Sequence, residues 1–164
     1  MYLNLINFKV DNPELFNYTK NTVIFAKNVT FDSMTNISAS KVIMGMNCYF
    51  MNDGGRIQLT NSVILGDGVK LKPCQCKKQK EYIVEMIIKG PCVIGNNSFV
   101  RAKTIGPNVV IGENCKIGEG SVINNNAVIL DNSVVAPNSV IPSNCVFGGV
   151  PATFVSLLSE QAQS

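Results

Sequence analysis

Large apolar residues fall on every sixth position from Ile105 through Ile111, Ile117, Ile123, Ile129, Val135 and Ile141 to Phe147. Two residues before each of the last seven stands Val109, Cys115, Ser121, Ala127, Ser133, Ser139 or Cys145, mostly smaller side chains. Three residues after the large positions come Asn108, Asn114, Gly120, Asn126, Asn132, Asn138 and Asn144. Asparagine and glycine enter left-handed backbone at the least steric cost. Each six-residue unit therefore predicts a short strand and a corner. An α-helix would need recurrence near 3.6 and a two-faced strand near 2, and neither period recurs here.

Three such units close one triangular turn, so residues eighteen apart stack at about 4.8 Å, the ordinary strand spacing. The large side chain fills the prism and the small one fits the inside of the corner. The fold expected is all-β, a single-stranded left-handed parallel β-helix of hexapeptide repeats, against the usual right-handed crossover preference. Upstream, Ile88, Ile94 and Val100 continue the inward series, with Met86, Cys92 and Ser98 two residues before them. One five-residue step then joins Val100 to Ile105. Leu59, Leu65 and Leu71 form an earlier block, and Phe25, Phe31, Ile37 and Ile43 a looser inward series. Residues Phe50 to Arg56, with Asp53-Gly54-Gly55, break register and predict an irregular coil.

Three segments follow from this pattern. Residues 1–20 form an N-terminal extension whose apolar Met1 to Val10 stretch suits a cap, and residues 21–150 form the prism, with an excursion at 72–87. Gly148-Gly149-Val150-Pro151 ends the coil, and residues 151–164 read as a tail with a short helix over Ala152 to Gln163, its apolar side formed by Phe154, Leu157 and Leu158. Solenoid ends need covers, and the two terminal segments can serve as covers or can leave one end for a partner.

Composition narrows the picture. The 164 residues are 46% hydrophobic, enough for one well-buried domain. A formal charge of +3, spread apart from a cluster between Lys70 and Lys80, is too mild to indicate nucleic-acid binding. No run reaches membrane-spanning length, and the first residues show neither a basic leader nor a small-residue cleavage site. Six cysteines are sparse for a disulfide framework, and Cys48, Cys92, Cys115 and Cys145 fall on small-residue positions, which favours a reduced, cytosolic setting. Asn17, Asn28, Asn36 and Asn96 begin glycosylation-like triplets, which carry little meaning without secretion.

Candidate chemistry is thin. The chain has no histidine, and acyltransferases built on this repeat usually use one as general base. Asp53, Asp67, Glu113, Glu119 and Asp131 sit at corners where solvated polar residues are common, and none is paired with another. Cys74-Gln75-Cys76 offers two thiolates where zinc normally needs four ligands. Gly112 and Gly118 follow from coil geometry, since no glycine-rich loop leads from a strand into a helix. No catalytic residue, cofactor site or metal site is expected. Val110, Val128 and Val146 should point outward and stack on one face, and Val122 with Val140 on another. Two explanations stay open: branched side chains suit strands, or the ladders form an apolar contact for another subunit.

Two resemblances add to this. The stretch Ile94-Gly95-Asn96-Asn97-Ser98-Phe99-Val100-Arg101-Ala102-Lys103-Thr104-Ile105-Gly106 resembles the γ-class carbonic anhydrases, including their five-residue step. In that family two zinc-binding histidines fall on the positions of Asn96 and Arg101, and an amide and a guanidinium do not bind zinc as imidazoles do. The chain is also similar to the dynactin subunit 5 family. The carriers are Ile129-Leu130-Asp131-Asn132-Ser133-Val134-Val135-Ala136-Pro137-Asn138-Ser139-Val140-Ile141-Pro142 with the exit at Val146 to Gly149, the excursion leaving at Leu71-Lys72-Pro73 with Lys77-Lys78 and returning at Ile87-Ile88, and the five-residue step.

That second resemblance covers about residues 40 to 150. It implies a non-enzymatic pointed-end subunit of the cytoplasm and cytoskeleton, paired with a second β-helix subunit near an actin-related protein, that helps dynein engage cargo adaptors for microtubule-based transport. Lys72, Lys77, Lys78 and Lys80 on the excursion, with Val110, Val128 and Val146, are the expected partner-binding residues, with no nucleic acid and no membrane insertion. The alternatives are a degenerate anhydrase-like assembly subunit, such as those attached to the respiratory NADH dehydrogenase, and a histidine-free hexapeptide acyltransferase.

Overall fold

In the computed structural model the described residues are 16–18, 22–32, 36–51, 55–74 and 85–158. They form a parallel β-solenoid of about six turns. Three sheets make the walls of the prism, one of nine strands and two of six. We call the nine-stranded wall the first face. The second holds the strands from Thr30–Phe31 to Val134–Val135, and the third those from Asn36–Ala39 to Val140–Ile141.

Stacking follows the six-residue register. Val110 pairs with Val128 and Val128 with Val146, eighteen residues at each step. The five-residue step shortens one turn, so that Val93 pairs with Val110 and Ile88 with Ile105, seventeen residues apart. Ile105, Ile111, Ile117, Ile123, Ile129, Val135 and Ile141 are all buried in one continuous core, with Phe147 packed against its end. Burying each contributes roughly 1.5 to 3 kcal/mol. At the corners Asn108, Asn114, Asn126, Asn132, Asn138 and Asn144 have φ between 54° and 61°, and Gly120 takes the same place at 75°. The corner asparagines therefore carry the left-handed backbone that turns the chain from one wall to the next.

The small positions work as the pattern requires. Val109, Cys115, Ser121, Ala127, Ser133 and Cys145 are buried. Buried hydroxyls are satisfied at once: Ser98 Oγ donates to the Gly112 carbonyl at 2.8 Å, and Ser121 Oγ to the Gly118 carbonyl at 2.7 Å. At Gly112 the approach of the next turn is so close that a Cβ would collide with Asp131, which explains a glycine there without any phosphate-binding role.

Two expectations are corrected. Ile43 is not an inward residue. The stack runs Phe25, Met44, Leu65, with Ile43 placed between Ile24 and Ile64. Seven residues rather than six separate Ile37 from Met44, and Lys41 in left-handed backbone, at φ 55°, lies in that longer corner. The C-terminal segment is also not helical where it is described: Ala152–Leu157 is a strand, antiparallel to Cys145–Gly149. The Phe154, Leu157, Leu158 spacing suits a helix face, but Thr153 and Val155 are branched at Cβ and favour extended backbone. The open edge of the first face then gains hydrogen bonds from the returning strand, as Leu158 N–H to the Asn144 carbonyl at 2.9 Å shows. Residues 159–164 lie outside the described residues.

At the other end Phe16–Tyr18 pairs antiparallel with Val23–Ala26, and the Met1 to Val10 cap lies outside the described residues. The excursion leaves after Leu71 and returns as the strand Glu85–Lys89, where Arg56 and Glu85 are partners in register and their side chains lie 3.6 Å apart. Residues 75–84 between them are outside the described residues, as are 52–54 of the expected irregular coil.

Candidate functional site

The residue before each inward position points away from the core, and on the first face these residues form a ladder. In register they are Ile24, Ile43, Ile64, Val93, Val110, Val128 and Val146, aliphatic at every rung. Seven rungs at 4.8 Å cover about 29 Å of the prism. The corresponding ladder on the second face reads Thr30, Tyr49, Lys70, Phe99, Lys116, Val134. On the third it reads Ser38, Gln58, Ile87, Thr104, Val122, Val140.

This contrast bears on the two explanations left open for the valines. Strand propensity acts on all three walls alike, since all three are parallel sheets of the same kind. Only the first face is uninterrupted aliphatic, a restriction that strand propensity alone does not impose, since threonine and aromatic residues suit strands equally well. Six of its rungs are half-buried and Ile43 is buried, which makes the ladder a flat, stiff, apolar strip. Its N-terminal rungs Ile24, Ile43, Ile64 and Val93 escape a sequence reading based on a fixed period of eighteen, because the turns between them run to nineteen, twenty-one and twenty-nine residues. The signal available was the aliphatic residue directly before each inward one.

Asn96 and Arg101 occupy successive corners of a single turn and serve packing. Asn96 Oδ1 accepts from the Asp67 N–H at 2.8 Å, and its Nδ2 donates to Glu113 Oε1 at 3.3 Å. Arg101 Nη2 lies 3.4 Å from Glu119 Oε2, while its Nε is buried without a hydrogen-bond partner. The same carboxylate accepts from Cys74 Sγ at 2.9 Å. A fixed guanidinium cation and an amide already engaged by neighbouring turns do not suit a zinc ion. Among the described residues no group of three or more His, Cys, Asp or Glu gathers where a metal could be held. Cys76, Lys77, Lys78 and Lys80 lie outside the described residues. Lys72 is described and half-buried, and its N–H donates to the Val100 carbonyl at 3.0 Å.

Two further carboxylates hold the coil together. Asp67 Oδ1 accepts from the Met46 N–H and Asp131 Oδ1 from the Glu113 N–H, each at 2.8 Å. These carboxylates tie one corner to the next. Burial pushes the Cys92 thiol up to about 12 and the Cys48 thiol up to about 11, and raises Cys115 as well. A thiol held protonated is a poor nucleophile and a poor metal ligand.

The family model for dynactin subunit 5 matches residues 6–164. No curated protein matches the chain in sequence. Among solved structures, a hexapeptide transferase family protein from Anaplasma phagocytophilum superposes with a TM-score of 0.66 at 13% identity, over 88% of this chain and 84% of its own. A point mutant of AntD, an N-acyltransferase from Bacillus cereus in complex with dTDP and coenzyme A, gives 0.55 at 11% identity, over 85% and 83%. At these identities the likeness is one of fold.

Proposed function

The chain belongs to the dynactin subunit 5 family, and from that membership we propose that it is a non-catalytic structural subunit of a dynactin-type pointed-end complex. In this reading it is a rigid left-handed prism that pairs with a second β-helix subunit, beside an actin-related protein, and helps dynein engage cargo adaptors during microtubule transport in the cytoplasm. The observation that carries the proposal is the asymmetry of the three walls. One wall is aliphatic over seven rungs, and the other two are interrupted by lysine, threonine, serine or glutamine. A flat apolar wall suits another flat wall, and Val110, Val128 and Val146 stand in its C-terminal half. The basic excursion, with Lys72 at its base and Lys77, Lys78 and Lys80 within it, supplies the polar, charge-bearing contact toward acidic segments of adaptors.

A Val128→Lys variant tests this directly. Its side chain lies outside the core, so the thermal midpoint should stay within a few degrees of the parent. Co-purification with a second hexapeptide-repeat chain from the native cell should fall at least about tenfold, the factor that 1.4 kcal/mol of lost contact gives. Undiminished recovery with that partner, or a stable homotrimer holding zinc, would overturn the proposal.

The solved relatives raise an enzymatic reading, since AntD is an N-acyltransferase with coenzyme A. Against it stand the absence of histidine, thiols held protonated by burial and carboxylates engaged by backbone N–H groups. Saturable micromolar binding of acetyl-CoA would favour that reading. Import of the intact chain into mitochondria would favour an anhydrase-like assembly subunit instead.

A further inference from the structure

The C-terminal end of the prism has a composition unlike the rest. From Gly120 to Leu158 the only charged residue is Asp131, and every lysine and arginine of the chain lies at or before Lys116. Among the described residues, six of the eight exposed large hydrophobic side chains fall in this last stretch: Leu130, Val140, Val150, Phe154, Val155 and Leu157. Phe154 is 55% and Leu157 69% exposed although both stand in register with core positions, Phe154 opposite Phe147 and Leu157 opposite Cys145. The Phe147 and Phe154 rings meet edge to face at 6.1 Å. Both side chains thus lean over the open end of the prism without closing it.

Among the described residues Ala152–Leu157 pairs only with Cys145–Gly149 and ends the nine-stranded sheet, which leaves it as an edge strand. Leu158 N–H points toward Asn144, so the alternation of an antiparallel ladder turns the Leu157 N–H to the open side. Edge strands are ordinarily blunted by charge, proline or a covering segment. Here Ala152–Leu157 carries no charge and no proline, and Thr153, Phe154 and Val155 favour extended backbone.

We propose that this edge is completed by an uncharged, extended segment of a partner protein, which adds a tenth strand to the first face and lays apolar side chains over Phe154 and Leu157. The chemistry selects the occupant. A free strand edge recognises extended polypeptide through main-chain hydrogen bonds. A surface without cations offers nothing to nucleic acid or to anionic lipid. The apolar rim matches the charge-depleted centre of protein interfaces. The inference goes beyond the pointed-end reading and depends only on the end of the solenoid.

Hydrogen exchange of the full chain, alone and within the largest native assembly it enters, reads the edge directly. The peptide covering 152–158 should exchange at least about tenfold more slowly in the assembly. Leu157→Lys should lower incorporation at least about tenfold. The thermal midpoint of the isolated variant should match the parent, because the side chain is exposed. Val155→Lys serves the same purpose should the first variant fold poorly. Residue-level crosslinking then identifies the neighbour of the strand. A neighbour rich in apolar residues and free of charge, on another protein, supports the proposal. Unchanged exchange at 152–158, or crosslinks to a second copy or to residues 1–15 of the same chain, would overturn it. Protection in an assembly other than dynactin would leave this inference standing while removing the pointed-end reading.

Discussion

The two ends of the prism solve the same packing problem differently. In the C-terminal turns each wall advances by eighteen residues, and uniform Ile and Val fill the interior over small corner residues. In the N-terminal turns the step from Phe25 to Met44 is nineteen residues and that from Met44 to Leu65 is twenty-one. There aromatic side chains join the fill: Phe50 is buried beside Met44, the exposed Phe31 stacks on it with centroids 5.0 Å apart, and Phe25 meets Phe31 edge-on at 5.7 Å. Longer corners leave irregular space, and large rings fill it better than branched aliphatics. The outer surfaces differ too, with all the cations at or before Lys116 and almost no charge beyond it. A strict interior therefore fixes the shape of a turn and leaves its outer surface free to be charged or bare.

The largest expected effect separates the two ends. Ile117→Asp places a carboxylate in the dry C-terminal interior and should abolish the cooperative thermal transition, at a cost above about 4 kcal/mol. Ile37→Asp, at a half-exposed inward position in the N-terminal turns, should leave a folded protein with a lowered midpoint. Circular dichroism melts of both would break the comparison if the two behaved alike.

Next in size is a corner. Asn126 has φ 61° and its Nδ2 donates to Asn144 Oδ1 at 2.9 Å, so Asn126→Ala loses both a left-handed preference and a hydrogen bond. A cost of about 2 kcal/mol is expected, lowering the midpoint by roughly 4 to 8 °C. Asn126→Gly should recover about half of that loss, by restoring the backbone alone.

Alkaline pH gives an effect of similar size through the buried thiols. Cys92 titrates near 9.0 when unfolded and near 12 when folded because burial disfavours the thiolate. Its contribution is full below pH 9 and is lost as pH rises through 9 toward 12, at up to about 1.4 kcal/mol per pH unit. The melting midpoint should therefore fall between pH 9 and 11 with a slope that Cys92→Ala reduces. The smallest effect is expected at Arg101. Arg101→Met removes one ion pair and one buried orphan Nε, and the two changes oppose each other. A change within about 1 kcal/mol by denaturant titration would confirm that the guanidinium is tolerated by the corner rather than required by it.

Much of the C-terminal half is legible from residue types alone. Ile111, Cys115 and Asn114 fall where a six-residue period puts a large, a small and a left-handed position, and the structure places all three so. The period works because every unit there has the same length. Ile43 shows the limit: one extra residue before Met44 moves Ile43 from the core series to the outward ladder, and nothing local marks the change. Ala152–Leu157 shows another, since an apolar spacing shared by helix and strand is settled by the open sheet edge it meets.

By itself, the sequence determined the triangular coil and its buried residues, because steric preference at Asn and Gly corners and the volume of Ile and Val act over a few residues. It also put an amide and a guanidinium, Asn96 and Arg101, at two successive corners of one turn. Only the tertiary structure decided that seven aliphatic residues from turns of unequal length share one wall, and that Ala152–Leu157 is the last strand of its sheet among the described residues. Both depend on which strands lie side by side, and across turns of seventeen to twenty-nine residues that is fixed by backbone pairing between distant segments.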